Sequence, residues 1–255
     1  MSLFKEYIGI DYSGAGGPDS RCKGLRVYSS TAANEATEVP SPDASRAQRR
    51  NWTRRGLAQW LLSRCQSGKP LIIGIDHAFS FPISYLARRR AASWAGFLDD
   101  FCENWPTDKE TVEECRAENP CSGQPTEFRL TEKWTSSAKS VFRFDGQGSV
   151  AKSTHSGLPW LRWMRSGAGE TVHFWPFDGW SVPGGRSVIA EVYPSIFRNR
   201  FPRGARNGDQ QDAFATAEWL RTRDGLGYLA PYLAPQLSED ERRIAGLEGW
   251  ILGVA

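Results

Sequence analysis

The chain has 255 residues, of which 40% are hydrophobic and 24% are charged, and its formal net charge is +3 at pH 7. This much apolar surface can offset the conformational entropy lost on folding, so the composition excludes a protein that is disordered throughout. No apolar run approaches the roughly 18 residues that a membrane-spanning helix needs, and charge appears as early as Lys5, so we expect no membrane segment, no signal peptide and a cytoplasmic protein.

The N-terminal region predicts three strands in succession. Residues 5–12 alternate in polarity and are rich in Ile and Tyr, which indicates a β-strand with Asp11 at its end. Residues 25–29 predict a second strand, and residues 35–39 predict a third with a weaker pattern. The chain is therefore expected to begin with strands alone, before its first helix.

A helix, a buried strand and a second helix are predicted next. Residues 45–65 carry apolar side chains at helical spacing among arginines, which predicts a helix. Residues 71–75 form a short β-branched run, typical of a strand that is covered on both faces, and Asp76 closes it. Residues 83–98 predict a further helix.

The rest of the chain resumes strand and helix patterns after a long irregular stretch. Residues 99–170 lack a clear alternation of strands and helices, so we interpret them as an insertion. Strands are predicted at 172–175 and 187–193, and a long helix is predicted over 209–222. Strands first, and then strands alternating with helices, predict an α/β fold with a mixed sheet flanked by helices.

Basic residues are concentrated in a few places although the net charge is small. The stretch 44–75 contains seven basic residues and no acidic one, and smaller clusters occupy 88–90 and 198–206. The stretch 99–118 is instead rich in acidic residues. Several basic clusters in a nearly neutral protein favour a surface that faces a polyanion, with an ordinary solvated face as the simpler alternative.

Three acidic residues occupy positions where an apolar strand disfavours charge. Asp11 and Asp76 close predicted strands, and Glu191 interrupts the apolar run 188–193. A carboxylate buried without a partner costs several kcal/mol or shifts its pKa until it is neutral. Taken one at a time, a turn or capping role would explain either aspartate, and an ion pair with an arginine such as Arg186 would explain Glu191.

A further acidic pair stands at the start of the last long predicted helix. Asp209 and Asp212 are three residues apart, so both side chains project from one helix face. Acidic residues in a first turn also suit the helix dipole, which is the simpler explanation of this pair alone. The joint pattern of strand and helix acids predicts clustered carboxylates, which stay ionised only with cations, and Mg²⁺ or Mn²⁺ is suited to such oxygen ligands.

Two residues of the insertion are weaker candidates. His155 and Lys152 could reach a phosphate group of a substrate. A solvated position in a loop is the simpler expectation for both.

Five short motifs are spread over nearly the whole chain. Their sequences are IGID at 8–11, IGID at 73–76, AEVYP at 190–194, DQQDA at 209–213 and EGWI at 248–251. Together they resemble the family catalogued as domain of unknown function 429, which is placed in the ribonuclease H-like superfamily. The resemblance implies a five-stranded mixed sheet, with three antiparallel strands and then two parallel ones, surrounded by helices. It also implies an active site of acidic residues that holds two divalent metal ions.

The resemblance implies a role for each matching acid. Asp11 would be the ligand from the first strand that bridges both metal ions, and Asp76 would be the second acid. Asp212, or else Asp209, would match the acid of the last helix. Glu191 matches the Glu-x-x-Pro element of the family, although its place on the fifth strand is not a standard position for a nuclease ligand.

The predicted domain organisation is one ribonuclease H-like core with one insertion. The core comprises residues 1–98 and 171–255, and residues 99–170 form a cap over the site. The interval between Asp76 and Glu191 is much longer than in a minimal ribonuclease H, which is why the cap is assigned there.

The function predicted from these features is a metal-dependent nuclease. It would hydrolyse phosphodiester bonds with Mg²⁺ or Mn²⁺, one ion generating the attacking hydroxide and the other stabilising the leaving oxygen. DNA or RNA would be its partner. Two alternatives stay open: an ATP-dependent phosphotransferase of the actin or sugar-kinase-like fold, and a non-catalytic module that binds nucleotides or nucleic acid. The substrate and the oligomeric state stay open as well.

Overall fold

The computed structural model describes residues 2–43, 51–119, 123–135, 137–146 and 148–255. Within them, six strands form one sheet: β1 (Glu6–Asp11), β2 (Arg26–Thr31), β3 (Asn34–Glu38), β4 (Leu71–Asp76), β5 (Val172–Trp175) and β6 (Ser187–Glu191). The strand order is β3-β2-β1-β4-β6-β5. The first three strands pair antiparallel, whereas β1, β4, β6 and β5 are parallel.

Helices cover both faces of this sheet. The α-helices are α1 (Arg54–Cys65), α2 (Ile83–Arg88), α3 (Trp94–Asn104), α4 (Val112–Glu118), α5 (Leu130–Trp134), α6 (Ala151–Ala168), α7 (Gly208–Gly225), α8 (Leu229–Leu233) and α9 (Glu239–Glu248). Helices α1, α3 and α6 share one hydrophobic core with one face of the sheet, and α7 packs on the other face. The predicted α/β fold with a mixed sheet flanked by helices is confirmed.

The number of strands differs from the expected five. Strand β5 pairs in parallel with β6 and is buried along its whole length, so it extends the sheet by one strand. In their described part, residues 99–170 contribute no strand to the sheet. Their last helix, α6, packs against α1 and covers the sheet.

The predicted helix over 45–65 begins later than expected. Helix α1 starts at Arg54, because the Thr53 side chain caps it by accepting a hydrogen bond from the Gly56 backbone N–H at 3.0 Å. Residues 44–50, with three of the arginines of the basic stretch, lie outside the described residues.

The predicted helix over 83–98 is two helices. Arg90 has a φ of 54°, a left-handed conformation that cannot continue an α-helix, and it separates α2 from α3. Ser93 then caps the new helix, its hydroxyl accepting a hydrogen bond from the Gly96 backbone N–H at 3.1 Å. Helical periodicity continued through this break and concealed it.

Helix α7 is fixed against β1 along its length. A Cβ atom on Gly9 would lie 2.1 Å from the Ala213 carbonyl oxygen, and one on Gly74 would lie 2.7 Å from the Thr216 Cγ2. Glycine at both positions therefore lets the helix backbone approach the sheet directly. At the far end of the helix, the buried Asp224 carboxylate accepts a hydrogen bond from the Tyr7 hydroxyl at 2.7 Å.

His155 lies in an aromatic cage on α6, which contradicts the expectation of a solvated loop position. Its ring centroid is 4.6 Å from that of Trp105, 4.7 Å from Phe144 and 5.0 Å from Phe81. Nδ1 lies 2.8 Å from the Ala151 carbonyl oxygen, and Nε2 has no hydrogen-bond partner among the described residues. Burial lowers the pKa of this imidazole to about 3.

We expect His155 to make the protein less stable in mild acid. Below pH 6.5 this histidine is protonated in the unfolded chain, where its pKa is near 6.5, but stays neutral in the folded chain. The free energy of unfolding therefore decreases as the pH drops below 6.5. Between pH 7.5 and pH 5 this group alone should cost about 2 kcal/mol. Urea unfolding of the wild type and of His155→Leu at both pH values measures it. The variant should lose less stability on acidification, and an equal loss in both proteins would contradict the assignment.

Candidate functional site

Asp11 and Asp76 end two adjacent strands at the same edge of the sheet. Strands β1 and β4 are parallel and in register, and Asp11 is the partner of Asp76. Neighbouring strands lie about 4.8 Å apart, so the two carboxylates leave the sheet side by side. Side chains alternate between the faces of a strand, so Asp11 points to the face of Gly9, and Asp76 points to the face of Gly74. That is the face covered by α7.

Helix α7 brings a third carboxylate to this edge. Asn207 caps the helix, accepting a hydrogen bond from the Gln210 backbone N–H at 2.8 Å. The next turn carries Asp212, immediately before the Ala213 carbonyl that touches the strand at Gly9. The structure thus brings together Asp11, Asp76 and Asp212, three of the residues predicted to form the site.

The electrostatic environment of these carboxylates shows that they act on one another. Burial raises the pKa of Asp11 well above its ordinary value, and the charges of Asp76, Asp209 and Asp212 raise it further. Burial also raises the pKa of Asp76 well above its ordinary value, with a contribution from Asp212. The pKa of Asp212 is raised by burial. Like charges that share a poorly solvated site oppose ionisation, so this cluster favours a cation.

One arginine partly meets that need. Arg198 lies in a short 3-10 helix, Arg198–Arg200, and its Nη1 donates hydrogen bonds to both oxygens of Asp212, at 2.9 and 3.2 Å. Its side chain keeps 43% of its surface exposed to solvent. Arg198 lowers the pKa of Asp212, opposing the effect of burial. The arginine is therefore bound to the acidic cluster on one side and open to solvent on the other.

Asp209 lies at the rim of the cluster. It is half-buried, and its Oδ2 atom is 3.5 Å from the position that a Cβ atom on Gly24 would occupy. Its charge contributes to the raised pKa of both Asp11 and Asp212. Of the two candidates on this helix, Asp212 is the one that also affects Asp76.

Glu191 differs from the other predicted site residues, because its carboxylate is already bound. It receives Nη1 and Nη2 of the buried Arg129 at 2.7 and 2.5 Å, and the Phe79 backbone N–H at 3.1 Å. The expected arginine partner therefore exists, but it is not Arg186, which pairs with Glu170 at 3.6 Å. This pairing favours a structural role for Glu191 over the predicted catalytic one, and we assign the residue to an ion-pair network.

The centre of that network is Arg129, which sequence reasoning missed. Its side chain is 1% exposed, and Nε donates to Glu132 at 2.8 Å while Nη1 donates to the Glu248 carbonyl oxygen at 3.2 Å. Arg129 thus bridges β6, α5 and the end of α9, and it lines one cavity together with Asp76. A lone arginine in an irregular stretch gives no sequence signal for such a role.

Lys152, a weaker candidate, is engaged elsewhere. Its ammonium group forms an ion pair with Glu113, and both side chains are exposed. That pairing places it among surface contacts of the helices rather than with the carboxylates of the sheet edge.

The donor chemistry of the cluster suits a divalent cation, but the side chains do not form a ready coordination sphere. Hard carboxylate oxygens are what Mg²⁺ and Mn²⁺ prefer. In the described part of the chain, however, no group of three or more His, Cys, Asp or Glu side chains is arranged to hold a metal ion. Both oxygens of Asp212 are taken by Arg198. A cation would therefore have to replace this guanidinium group.

A groove of about 500 Å³ opens beside Asp212. Its walls come from the segment that follows β6 and from the first turn of α7, and they are formed by Arg198, Asn199, Phe201, Arg203, Gln211 and Asp212. Asp212, one of the half-buried acids of the cluster, is thus reached from solvent along a wall that carries arginine side chains.

Comparison of the chain with protein-family models, with curated proteins and with solved structures finds no match. The family resemblance of the five motifs therefore stays a prediction. In the described residues, no helix is both long and apolar enough to cross a membrane.

Proposed function

We propose that the chain is a divalent-cation-dependent phosphodiesterase that hydrolyses nucleic acid. The observation that carries the proposal is the gathering of Asp11, Asp76 and Asp212 at one sheet edge, where burial raises the pKa of all three and the charges of neighbouring aspartates add to that effect. Groups with such shifted pKa values occur preferentially at functional sites. A structural ion pair explains Glu191 but does not explain Asp11 and Asp76, whose charges oppose one another.

The sheet topology supports a ribonuclease H-like core as part of this proposal. Its three antiparallel strands β3, β2 and β1, followed by the parallel strands β4 and β6, agree with the antiparallel and then parallel strands that the motif resemblance implies, and β5 is added outside them. In this reading the core comprises residues 1–98 and 171–255, with residues 99–170 inserted between its strands.

Each residue of the cluster would have a defined task. Asp11, Asp76 and Asp212 would hold the cation, and the in-register pairing of β1 with β4 fixes the first two relative to each other. When bound, the cation supplies an activated water and neutralises charge on the phosphate. Arg198, released from Asp212, would donate its hydrogen bonds to a phosphate oxygen instead, since guanidinium groups bind phosphate and carboxylate alike.

A second candidate has one observation in its favour. The ion pair between Arg198 and Asp212 satisfies one carboxylate without metal. That pairing suits a non-catalytic module, which binds nucleic acid through its arginines and performs no hydrolysis. The two functions differ in whether a divalent cation produces cleavage.

The proposal is tested by a cleavage assay with end-labelled DNA, branched DNA and RNA. We expect cleavage of at least one substrate with Mg²⁺ or Mn²⁺ and none with EDTA. Asp212→Asn should slow cleavage by about 100-fold or more, because one ligand of the cation is lost. Asp240→Asn, an exposed acid on α9, is the matched control and should cleave normally. Cleavage that survives EDTA or Asp212→Asn would contradict the proposal, and binding without cleavage under any metal would favour the non-catalytic module.

A further inference from the structure

The groove beside Asp212, here called the arginine groove, has a firmly held wall. Gln211 on α7 donates its Nε2 hydrogen bond to the Phe201 carbonyl oxygen at 2.9 Å, and its Oε1 accepts a hydrogen bond from Arg206 Nε at 2.8 Å. The Arg206 guanidinium also stacks on the Phe214 ring, with its carbon 3.5 Å from the centroid. These contacts bind the segment after β6 to α7. The groove is therefore preformed, and Arg206 braces its wall without lining it.

Two other arginines, Arg203 and Arg198, expose positive charge at the groove. Arg203 is exposed, and its Nε donates a hydrogen bond to the Arg206 carbonyl oxygen at 2.7 Å. It forms no ion pair with any described residue, although its positive charge acts on Asp212, which lines the same groove. Arg198 is paired with Asp212 but is still 43% exposed. Asp212 is the one acid in the lining, at the end of the groove that meets the acidic cluster.

An aromatic side chain completes the lining. Phe201 is half-buried and packs edge-on against Phe214, with ring centroids 6.5 Å apart. A positively charged groove with an aromatic wall is the combination that proteins use to bind single-stranded nucleic acid, with cations on the backbone and the ring stacked on a base.

We infer that the arginine groove binds a short single-stranded segment of nucleic acid and leads its phosphodiester to the edge of Asp212. This inference rests on the proposed function and names its substrate class. The volume of about 500 Å³ lies within the range of sites for small ligands. Only a flexible strand with unstacked bases can enter so small a groove, whereas a duplex presents its phosphates on a wide, rigid surface.

The test measures binding in EDTA, so that cleavage plays no part. The probes are fluorescently labelled oligo(dT), oligo(rU) and a DNA duplex of the same length, and anisotropy reports binding over a range of salt concentrations. We expect both single strands to bind more tightly than the duplex. A free mononucleotide should compete only weakly, because it offers one phosphate and one base.

Two variants separate the roles of charge and stacking. Arg203→Gln should weaken binding of the single strand by about 5-fold to 10-fold and lower the slope of log K against log salt by about 0.7, because one phosphate contact is lost. Phe201→Leu should weaken binding by about 10-fold without changing that slope, because stacking releases no counterion. Arg243→Gln, which also removes an exposed charge but on α9, away from the groove lining, is the control and should bind like the wild type. Arg203 is exposed, so its variant stays informative even if Phe201→Leu lowers the melting temperature.

The outcomes distinguish this inference from the proposed function. Equal binding of duplex and single strand, equal binding of a mononucleotide, or unchanged binding by Arg203→Gln would overturn the groove assignment, even if metal-dependent cleavage is found. Groove variants that behave as expected in a protein that never cleaves would leave the binding site standing and would overturn the phosphodiesterase.

Discussion

Replacing Asp11 with Asn is expected to abolish metal-dependent cleavage while leaving the fold intact. The pKa of Asp11 is raised by the charges of all the other acids of the cluster, Asp76, Asp209 and Asp212. An amide keeps the size of the side chain but removes the negative charge that would hold a cation. The loss of several kcal/mol of transition-state stabilisation corresponds to a rate decrease of about 10³-fold.

The same variant should respond differently to metal in a thermal-shift experiment. Without metal, the Asp11→Asn variant should melt at the same temperature as the wild type or higher, because repulsion among half-buried carboxylates is relieved. With Mn²⁺, the wild type should gain more stability than the variant, since only a cation that binds the folded state stabilises it.

Asp240→Asn provides the control for this experiment, because it removes an exposed carboxylate on α9. Its response to Mn²⁺ should equal that of the wild type. An identical metal response in the wild type and in Asp11→Asn would refute the cation site at this edge of the sheet.

The largest loss of stability is expected from Arg129→Met. The substitution removes the buried cation that binds Glu191 and Glu132 and leaves both carboxylates buried without a counter-charge. Breaking a buried ion pair from one side costs about 3–5 kcal/mol. For a chain of this size, that is a decrease in melting temperature of about 10 °C. Chemical and thermal unfolding followed by circular dichroism measures it.

A triple variant tests whether charge is the cause. Adding Glu132→Gln and Glu191→Gln to Arg129→Met removes the unpaired charges and keeps oxygen acceptors for the backbone N–H groups, so part of the lost stability should return. Arg162→Met, which breaks an exposed pair with Asp99, should cost at most about 1 kcal/mol. If the triple variant is no more stable than the single one, lost packing of the arginine explains the effect instead.

The placement of the acidic cluster could be predicted because local rules determine it. A carboxylate that closes an apolar strand lies at a sheet edge, and the two-residue period of a strand decides its face. Parallel neighbours then bring Asp11 and Asp76 together. The three-residue spacing on a helix places Asp209 and Asp212 on one side. Which of them acts on Asp76 depends on how α7 packs on the sheet, and helical periodicity does not determine that packing.

The ion-pair network and the aromatic cage could not be predicted, because they depend on contacts between distant parts of the chain. Arg129 meets Glu191 across 62 residues and the Glu248 carbonyl across 119. His155 is enclosed by aromatic rings, and one of them, Phe81, lies far from it along the chain. Neither partner is marked by spacing, and the irregular stretch that holds Arg129 carries no pattern from which burial follows.

Under the proposed function, the close contact between Gly9 and α7 bears on the rate of cleavage. The contact lies two residues from Asp11 along the strand and one residue from Asp212 along the helix. A change in how the helix packs on the strand therefore shifts these two carboxylates directly. If α7 is displaced by the width of one methyl group, the Asp212 carboxylate moves by nearly the same distance. Misplacing reacting groups by about 1 Å costs on the order of 100-fold in rate. A larger side chain at Gly9 would thus lower the rate of cleavage even in a protein that still folds. It would do so by changing the distance between the carboxylate oxygens of Asp11 on the strand and Asp212 on the helix.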